Sequence, residues 1–415
     1  MQELVVNTSK DPVTLNFFFA LQSRAANELL FPKLRAFECQ HAPPASITPL
    51  PSFISHRTTE IYIEFDGDFP TVMVASIIIK LPMLCPDLEC ITLDNLPGDP
   101  VITEAVSDMV IACNRDTLQR FWVDSPLTVE AREVVVQLPD LTDLSTVIQG
   151  HTLLPSVALP NLFAINLEYD DHLGWIQGFR GASLKNLEVI RITSHSEQIG
   201  DFLGELNVAL AASASVTLST LWFLTSQQWD PTYRSLLPFT QLEDLPIEFS
   251  CKNHCSSRLD DDIVIDLARA MPNLKILELG GAPCRTKGGA TIKGLIALAR
   301  GCRHLSKLRI HFQAASLVEV VFGVEVPATS DDETMVRRQD CALTDLEVGE
   351  IAIPEDIVDM VAITLLQIFP RLFNINFVER KWESAMNIIG VVKRIGTFVQ
   401  HTGKGHLLYP YYQAL

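Results

Sequence analysis

Pro272-Asn-Leu274-Lys-Ile-Leu277-Glu-Leu279 is the stretch whose reading decides the fold. A proline is followed by any residue, a leucine, two residues, an aliphatic, one residue and a last apolar. Alternation of this kind behind a Pro-Asn turn signal marks a short strand with one apolar face. The pattern returns along the chain as Pro86-Asp-Leu88-Glu-Cys-Ile91-Thr-Leu93, Pro160-Asn-Leu162-Phe-Ala-Ile165-Asn-Leu167 and Pro370-Arg-Leu372-Phe-Asn-Ile375-Asn-Phe377. Copies without the proline stand at Leu187/Ile190/Ile192, Leu218/Leu221/Phe223, Leu242/Leu245/Ile247, Leu305/Leu308/Ile310 and Leu343/Leu346/Val348. Weaker copies stand at Leu34/Phe37, Ile61/Ile63, Leu118/Phe121/Val123 and Leu141/Leu144. From Leu34 to Leu372 the mean spacing is about 28 residues, within the leucine-rich-repeat range of roughly 20–29.

The segments between the copies have helical spacing. Ile199, Phe202, Leu203, Leu206 and Leu210 share one face behind a Ser194/Glu197 capping box. Ile292, Leu295, Ile296, Ala299 and Cys302 share another, as do Ile357, Val361, Leu365 and Ile368 after Pro354-Glu355-Asp356. The recurrent proline disfavours helix in the residue before it and stops each helix there. One strand-plus-helix unit cannot bury its own apolar face, so the units must stack. The predicted fold is an α/β leucine-rich-repeat solenoid of about 13 irregular repeats: a horseshoe with a concave parallel β-sheet and outer helices. Its expected span is 31–378, with an amino-terminal cap or remnant at 1–30 and a carboxy-terminal cap and tail at 379–415.

Composition narrows the function classes. The chain has 415 residues, too many for one ordinary core, and 47% are apolar, which excludes wholesale disorder. Its formal net charge is -18, which repels phosphate backbones, so neither nucleic acid nor an anionic membrane is an expected partner. The longest apolar runs, Val72–Ile79 and Val361–Phe369, fall well short of the roughly 20 residues that cross a bilayer. Met1-Gln-Glu-Leu-Val-Val lacks the basic start and apolar core of a secretory signal. Nine scattered cysteines read as reduced thiols in the cytoplasm or nucleus. Neither Cys251/His254/Cys255 nor Cys85/Cys90 has the second close pair that a structural zinc site needs, so no metal and no cofactor are expected.

Leu298-Ala-Arg-Gly-Cys302-Arg-His-Leu305-Ser-Lys-Leu308-Arg-Ile310 and Leu267-Ala-Arg-Ala-Met-Pro272-Asn-Leu274 resemble the cysteine-containing repeats of F-box proteins. The likeness is to the large fungal F-box/leucine-rich-repeat families above all, and it covers roughly Phe31–Val378, the repeat region only. It implies the substrate-recognition subunit of an SCF-type ubiquitin ligase, with Skp1 and cullin as partners where an F-box is supplied. No Leu-Pro-containing F-box helix is recognisable between Phe17 and Pro32. The Asn or Cys that such repeats carry after the strand is also mostly replaced, by Leu96, Asp170, His195, Ala282 and Gln313. Irregular repeats, with backbone groups satisfied in other ways, are therefore expected. Two alternative functions stand beside the ligase: a free-standing scaffold or inhibitor, and a regulator of a small GTPase.

In each strand the residue between the second and third apolar positions points away from the core. That column reads Glu38, Tyr62, Thr92, Trp122, Ser145, Asn166, Arg191, Trp222, Pro246, Glu278, Arg309, Glu347 and Asn376. Trp and Arg dominate binding hot spots, one through area and the other through a rigid donor fork. The candidate contacts for a protein target on the concave face are Trp122, Asn166, Arg191, Trp222, Glu278 and Arg309. Lys307, Arg309 and His311 form a basic rung beside an acidic one, Asp345 and Glu347, and mutual pairing is the favoured reading there. Glu325–Asp340 reads as a surface-loop insertion and Tyr409–Tyr412 as a terminal cap.

Catalytic motifs are missing. Gly403-Lys404-Gly405 lacks the Ser or Thr of a phosphate loop, and Gly181-Ala-Ser183-Leu-Lys185 lacks the last glycine of a nucleophile elbow. Asp260-Asp261-Asp262 is read as a helix amino-terminal cap rather than a metal cluster. The chain is expected not to be an enzyme.

Overall fold

The computed structural model describes residues 2–7, 20, 30–42, 50–65, 70–113, 115–148, 159–169, 184–194, 203–204, 206–208, 210, 218–225, 232–249, 259–279, 290–310, 341–348, 358–377 and 390. The chain divides into two units, Met1–Phe223 and Leu224–Leu415. The division falls inside the expected solenoid span rather than at its ends.

The first unit carries β1 (Glu3–Asn7), β2 (Ala36–Ala42), β3 (Glu60–Phe65), β4 (Cys90–Asp94), β5 (Arg120–Pro126), β6 (Asp143–Ile148), β7 (Ala164–Tyr169), β8 (Val189–Ser194) and β9 (Thr220–Thr225), inside which the division lies. From β1 to β8 each strand pairs in parallel with its predecessor. The second unit carries β10 (Asp244–Phe249), β11 (Ile276–Leu279), β12 (Lys307–Ile310), β13 (Asp345–Val348) and β14 (Asn374–Phe377), again parallel and in chain order. Parallel neighbours need a crossover, and the intervening segments supply helices. These are α1 (Leu50–Phe53), α2 (Thr71–Ile78), α3 (Leu81–Leu84), α4 (Pro100–Ala112) and α5 (Val129–Val135) in the first unit. In the second they are α6 (Thr232–Leu236), α7 (Asp261–Ala270), α8 (Ile292–Gly301) and α9 (Val358–Ile368). The molecule is thus an α/β leucine-rich-repeat solenoid in its construction: one strand and its crossover per repeat, stacked in sequence.

The repeat leucines make the core. Leu162, Leu274 and Leu372 are fully buried, as are Ile91 and Leu93, Leu245 and Ile247, and Leu308 and Ile310. Burying one such side chain contributes about 1.5–3 kcal/mol. The proline turns work as the sequence implies. Leu274 N donates to Met271 O at 3.3 Å across Pro272-Asn273, with proline at the first central position that suits its fixed φ. Met271 and Cys85, each preceding a proline, have left helical geometry (φ -123°, ψ 67° and φ -130°, ψ 74°).

One backbone device recurs at the strand starts. Two successive N–H groups of one repeat donate to a single carbonyl of the repeat before: Glu89 and Cys90 to Thr59 O, Gln119 and Arg120 to Glu89 O, Ser306 and Lys307 to Lys275 O, at 2.8–3.1 Å. Hydroxyls reinforce it, as where Ser306 Oγ donates to Lys275 O (3.0 Å) and Thr142 Oγ1 to Gln119 O (3.1 Å). Asn161 and Asn186 donate to Pro139 O and Pro160 O, and the Cys302 thiol reaches Met271 O at 3.4 Å. These contacts tie each repeat to its predecessor at the strand start.

Capping follows the acidic and hydroxyl residues. Asp260 accepts from Ile263 N (3.0 Å), so the Asp260–Asp262 run starts α7 as expected. Asp261 does more: its Oδ1 accepts from Thr291 N (2.7 Å) and Gly294 N (3.1 Å), clamping the start of α8 onto α7. The helical segment expected at Ile292–Cys302 is α8 and that at Ile357–Ile368 is α9. The Ser194/Glu197 box, Pro354–Asp356, His311, Glu325–Asp340, Tyr409–Tyr412, Cys251–Cys255, Gly181–Ser183 and Gly403–Gly405 lie at or beyond the edges of what the described side chains show.

Strand β1 lies within the segment expected as an amino-terminal cap or remnant. Leu4 and Val6 are buried, Val5 is exposed, and Val5 pairs with Glu38 in register, so 1–30 contributes a strand to the sheet. The alternation Leu4-Val5-Val6 is too short, and has no proline turn before it, to be told from chance in the sequence.

Candidate partner-binding face

Strict register builds the outward column. Glu38, Tyr62, Thr92, Trp122, Ser145, Asn166 and Arg191 are consecutive Cα partners across β2–β8. In the second unit Pro246, Glu278, Arg309, Glu347 and Asn376 are likewise consecutive. Ser219 N and Thr220 N both donate to Glu188 O, the same clamp that aligns β8 on β7, and this carries Trp222 to the position after Arg191. The column predicted from alternation is therefore the column that forms.

Its members differ in what they offer. Trp122 is 36% exposed and Arg191 is exposed; Asn166 and Trp222 are half-buried. Trp122, Asn166 and Arg191 line one shallow depression with Leu144, Ala164, Ile165 and Val189. Asn166 Nδ2 donates to Ser145 Oγ at 3.0 Å. An indole, an amide and a guanidinium among apolar neighbours suit a side chain with an apolar stem and a polar end.

Glu278 requires correction as a contact residue. It is only 8% exposed, because cations from the next strand close over it. Lys307 Nζ lies 2.5 Å from Glu278 Oε1, Arg309 Nη1 3.8 Å from Oε2, and Arg309 Nε 3.0 Å from Glu347 Oε1. The hydrogen bond to Glu278 holds the Lys307 ammonium above its usual range. Glu278 and Arg309 are thus partners of each other, and the acidic–basic rung pairing expected between Arg309 and Glu347 is present.

Single-column reading missed the flanking positions. Glu60, Arg120 and Asp143 lie one step before the column; Glu64, Asp94 and Asp124 lie beyond it. The ladder shifts register between Trp122 and Pro126, and Asp124 sits inside that irregularity. Its carboxylate accepts from Asn95 N and from Leu96 N (3.0 Å), where Asn95 holds a left-handed turn (φ 58°). Loss of hydration outweighs those N–H donors, and with Asp94 nearby the Asp124 carboxyl is pushed up to about 6. Asp94 is raised as well, by burial first, although the Tyr62 hydroxyl donates to it; burial and Asp94 push the Tyr62 phenol up to about 12. Glu64 accepts from Asn95 Nδ2 (3.3 Å) and has His41 Nδ1 at 3.2 Å. Every outward strand position, not one per strand, had to be read to find this group.

Cysteines 85, 90, 113, 302 and 341 are free thiols, and burial raises Cys85, Cys113 and Cys302 to about 12. Cys90 Sγ accepts from Arg120 Nε at 2.9 Å. Among the described residues no group of three His, Cys, Asp or Glu side chains is placed to hold a metal ion, and no helix is long and apolar enough to cross a membrane.

No family model matches the chain, and no curated protein does. Among solved structures, a protein of Bacteroides fragilis aligns over 55% of this chain and 67% of its own, at 14% identity and a TM-score of 0.36. The leucine-rich-repeat-containing protein LegL7 of Legionella pneumophila aligns over 94% of this chain and 97% of its own, at 9% identity and a TM-score of 0.31.

Proposed function

We propose that this chain is a non-catalytic protein-binding scaffold whose target lies on the outward strand face of the first unit. The observation that carries the reading is the depression shared by Trp122, Asn166 and Arg191: three side chains from three strands, aligned by register among apolar neighbours. A repeat stack supplies position and orientation rather than reacting groups, and the aligned face is what it has to offer a partner. Trp222 stands at the margin of this site. The buried thiols suit a reducing compartment, cytoplasmic or nuclear.

The finer role we propose, substrate recognition for an SCF-type ubiquitin ligase, rests on the resemblance of Leu267–Leu279 and Leu298–Ile310 to F-box repeat proteins. Affinity purification of the full chain from its own cells tests it. Recovery of Skp1 and cullin supports the ligase role; targets recovered without either leave a free-standing scaffold. The contact face is tested on a recovered target with W122A/R191A. Binding weakens at least tenfold, about 1.4 kcal/mol, with the melting temperature unchanged. A double variant that unfolds, or that binds as before, removes this face from the account.

A further inference from the structure

The two units treat charge on the outward face differently. In the second, the outward cations Lys307 and Arg309 interlock with Glu278, and Arg309 with Glu347, beside the further carboxylates Asp244 and Asp345. In the first, the outward positions of β1–β5 carry Glu3, Glu38, Glu60, Glu64, Asp94 and Asp124 against one arginine, Arg120, whose Nη2 lies 3.4 Å from Glu60 Oε2. Neutral groups or a histidine stand at four of the others: Gln40 donates to Glu38, Tyr62 to Asp94, Asn95 and Leu96 N–H to Asp124, and Asn95 and His41 meet Glu64. Like charges on adjacent strands destabilise the sheet that holds them. The fold retains them without a compensating lysine at those outward positions.

Two aromatic rings stand among these carboxylates. Tyr62 and Trp122 occupy the middle column two strands apart, about 10 Å at the parallel strand spacing. An exposed indole beside carboxylates is a site for a cation with an apolar stem, since the ring face attracts the charge and its area takes the methylenes. The carboxylates are spread over three columns and five strands, a pattern suited to a row of cations on one chain rather than to a single ion. From this charge complementarity, and resting on the scaffold reading above, we infer that the occupant of the β1–β5 face is a lysine- and arginine-rich polypeptide segment. It runs across the strands, with one cationic side chain over Trp122.

The probe is a fluorescein-labelled peptide of four Arg-Ala repeats, followed by anisotropy against the full chain at 50 and 300 mM salt. The peptide binds, a labelled Glu-Ala peptide does not, and affinity falls at least tenfold at the higher salt. The neutral variant E38Q/E64Q/D94N weakens binding at least tenfold and W122A at least threefold. Removing the same charge from exposed helix positions with E104Q/D108N/E133Q changes it less than twofold. Equal losses from the two triple variants mean that net charge alone attracts the peptide, and overturn the inference. Carbodiimide coupling of a Lys-Ala peptide to the unmodified chain needs no variant: links map to Glu38, Glu64 or Asp94, and links confined to other carboxylates contradict the assignment. A natural target that is lost with W122A/R191A but indifferent to E38Q/E64Q/D94N keeps the scaffold reading and sinks the basic-partner inference.

Discussion

Asp124 shows how one residue's surroundings set its proton affinity. Its carboxyl is raised to about 6, from an ordinary value near 3.8, by loss of hydration that two backbone donors fail to offset. The folded state therefore binds the proton more tightly than the unfolded chain. Asp124 opposes folding while ionised above pH 6, and that cost is relieved as pH falls through 6 toward 4. Carbon-13 titration of the side-chain carboxyl should give a midpoint near 6; a midpoint below about 4.5 contradicts the burial argument. Glu278 is a nearly buried carboxylate held by two cations. E278A removes the acceptor of Lys307 and one of the acceptors of Arg309, and chemical denaturation should show a loss of about 1–3 kcal/mol. Trp122 to Ala, at an exposed position, should move stability by under about 0.5 kcal/mol. Alternation identified the side of the strand for both 278 and 122. It did not reveal that Glu278 is covered, because the covering side chains come from Lys307 and Arg309, about thirty residues on.

At the scale of elements, the joint between α7 and α8 combines two constraints. Asp261 of the first helix caps the second, and Gly301 lets the helices close: a Cβ at 301 would stand 2.4 Å from Ala268 O. D261A should cost about 1–2 kcal/mol through the orphaned Thr291 and Gly294 N–H groups. G301A should destabilise too, against the roughly 1 kcal/mol that Gly to Ala ordinarily gains in a helix, and thermal unfolding of both variants measures this. The sequence made α7, α8 and the proline turns plain because their signals are local. Strand β1 and the Asp124 irregularity were not legible, since one is defined by its pairing with β2 and the other by a register shift between β5 and β6. The flanking carboxylates were present as letters, but grouping them required the register of five strands.

Across the molecule, one strand and its crossover are repeated until the leucines of each copy bury those of the next. Within each unit the result is an ordered outward surface whose composition is free to vary, with cations and carboxylates interlocked around Glu278 in the second unit and carboxylates around the exposed Trp122 and half-buried Tyr62 in the first. Stability in such a stack comes from neighbour contacts, so Leu277 to Ala should cost about 3–5 kcal/mol and loosen the adjoining repeats as well, a spread that hydrogen exchange resolves. The functional reading depends on the register that aligns Trp122, Ser145, Asn166 and Arg191. Neighbouring in-register Cα atoms lie about 4.8 Å apart, within disulfide reach, whereas a two-residue offset on the same face is about 8 Å and outside it. Disulfide mapping under mild oxidation should therefore link S145C to N166C and leave the S145C/E168C pair as thiols. Linking of the offset pair in preference to the aligned one would contradict the account.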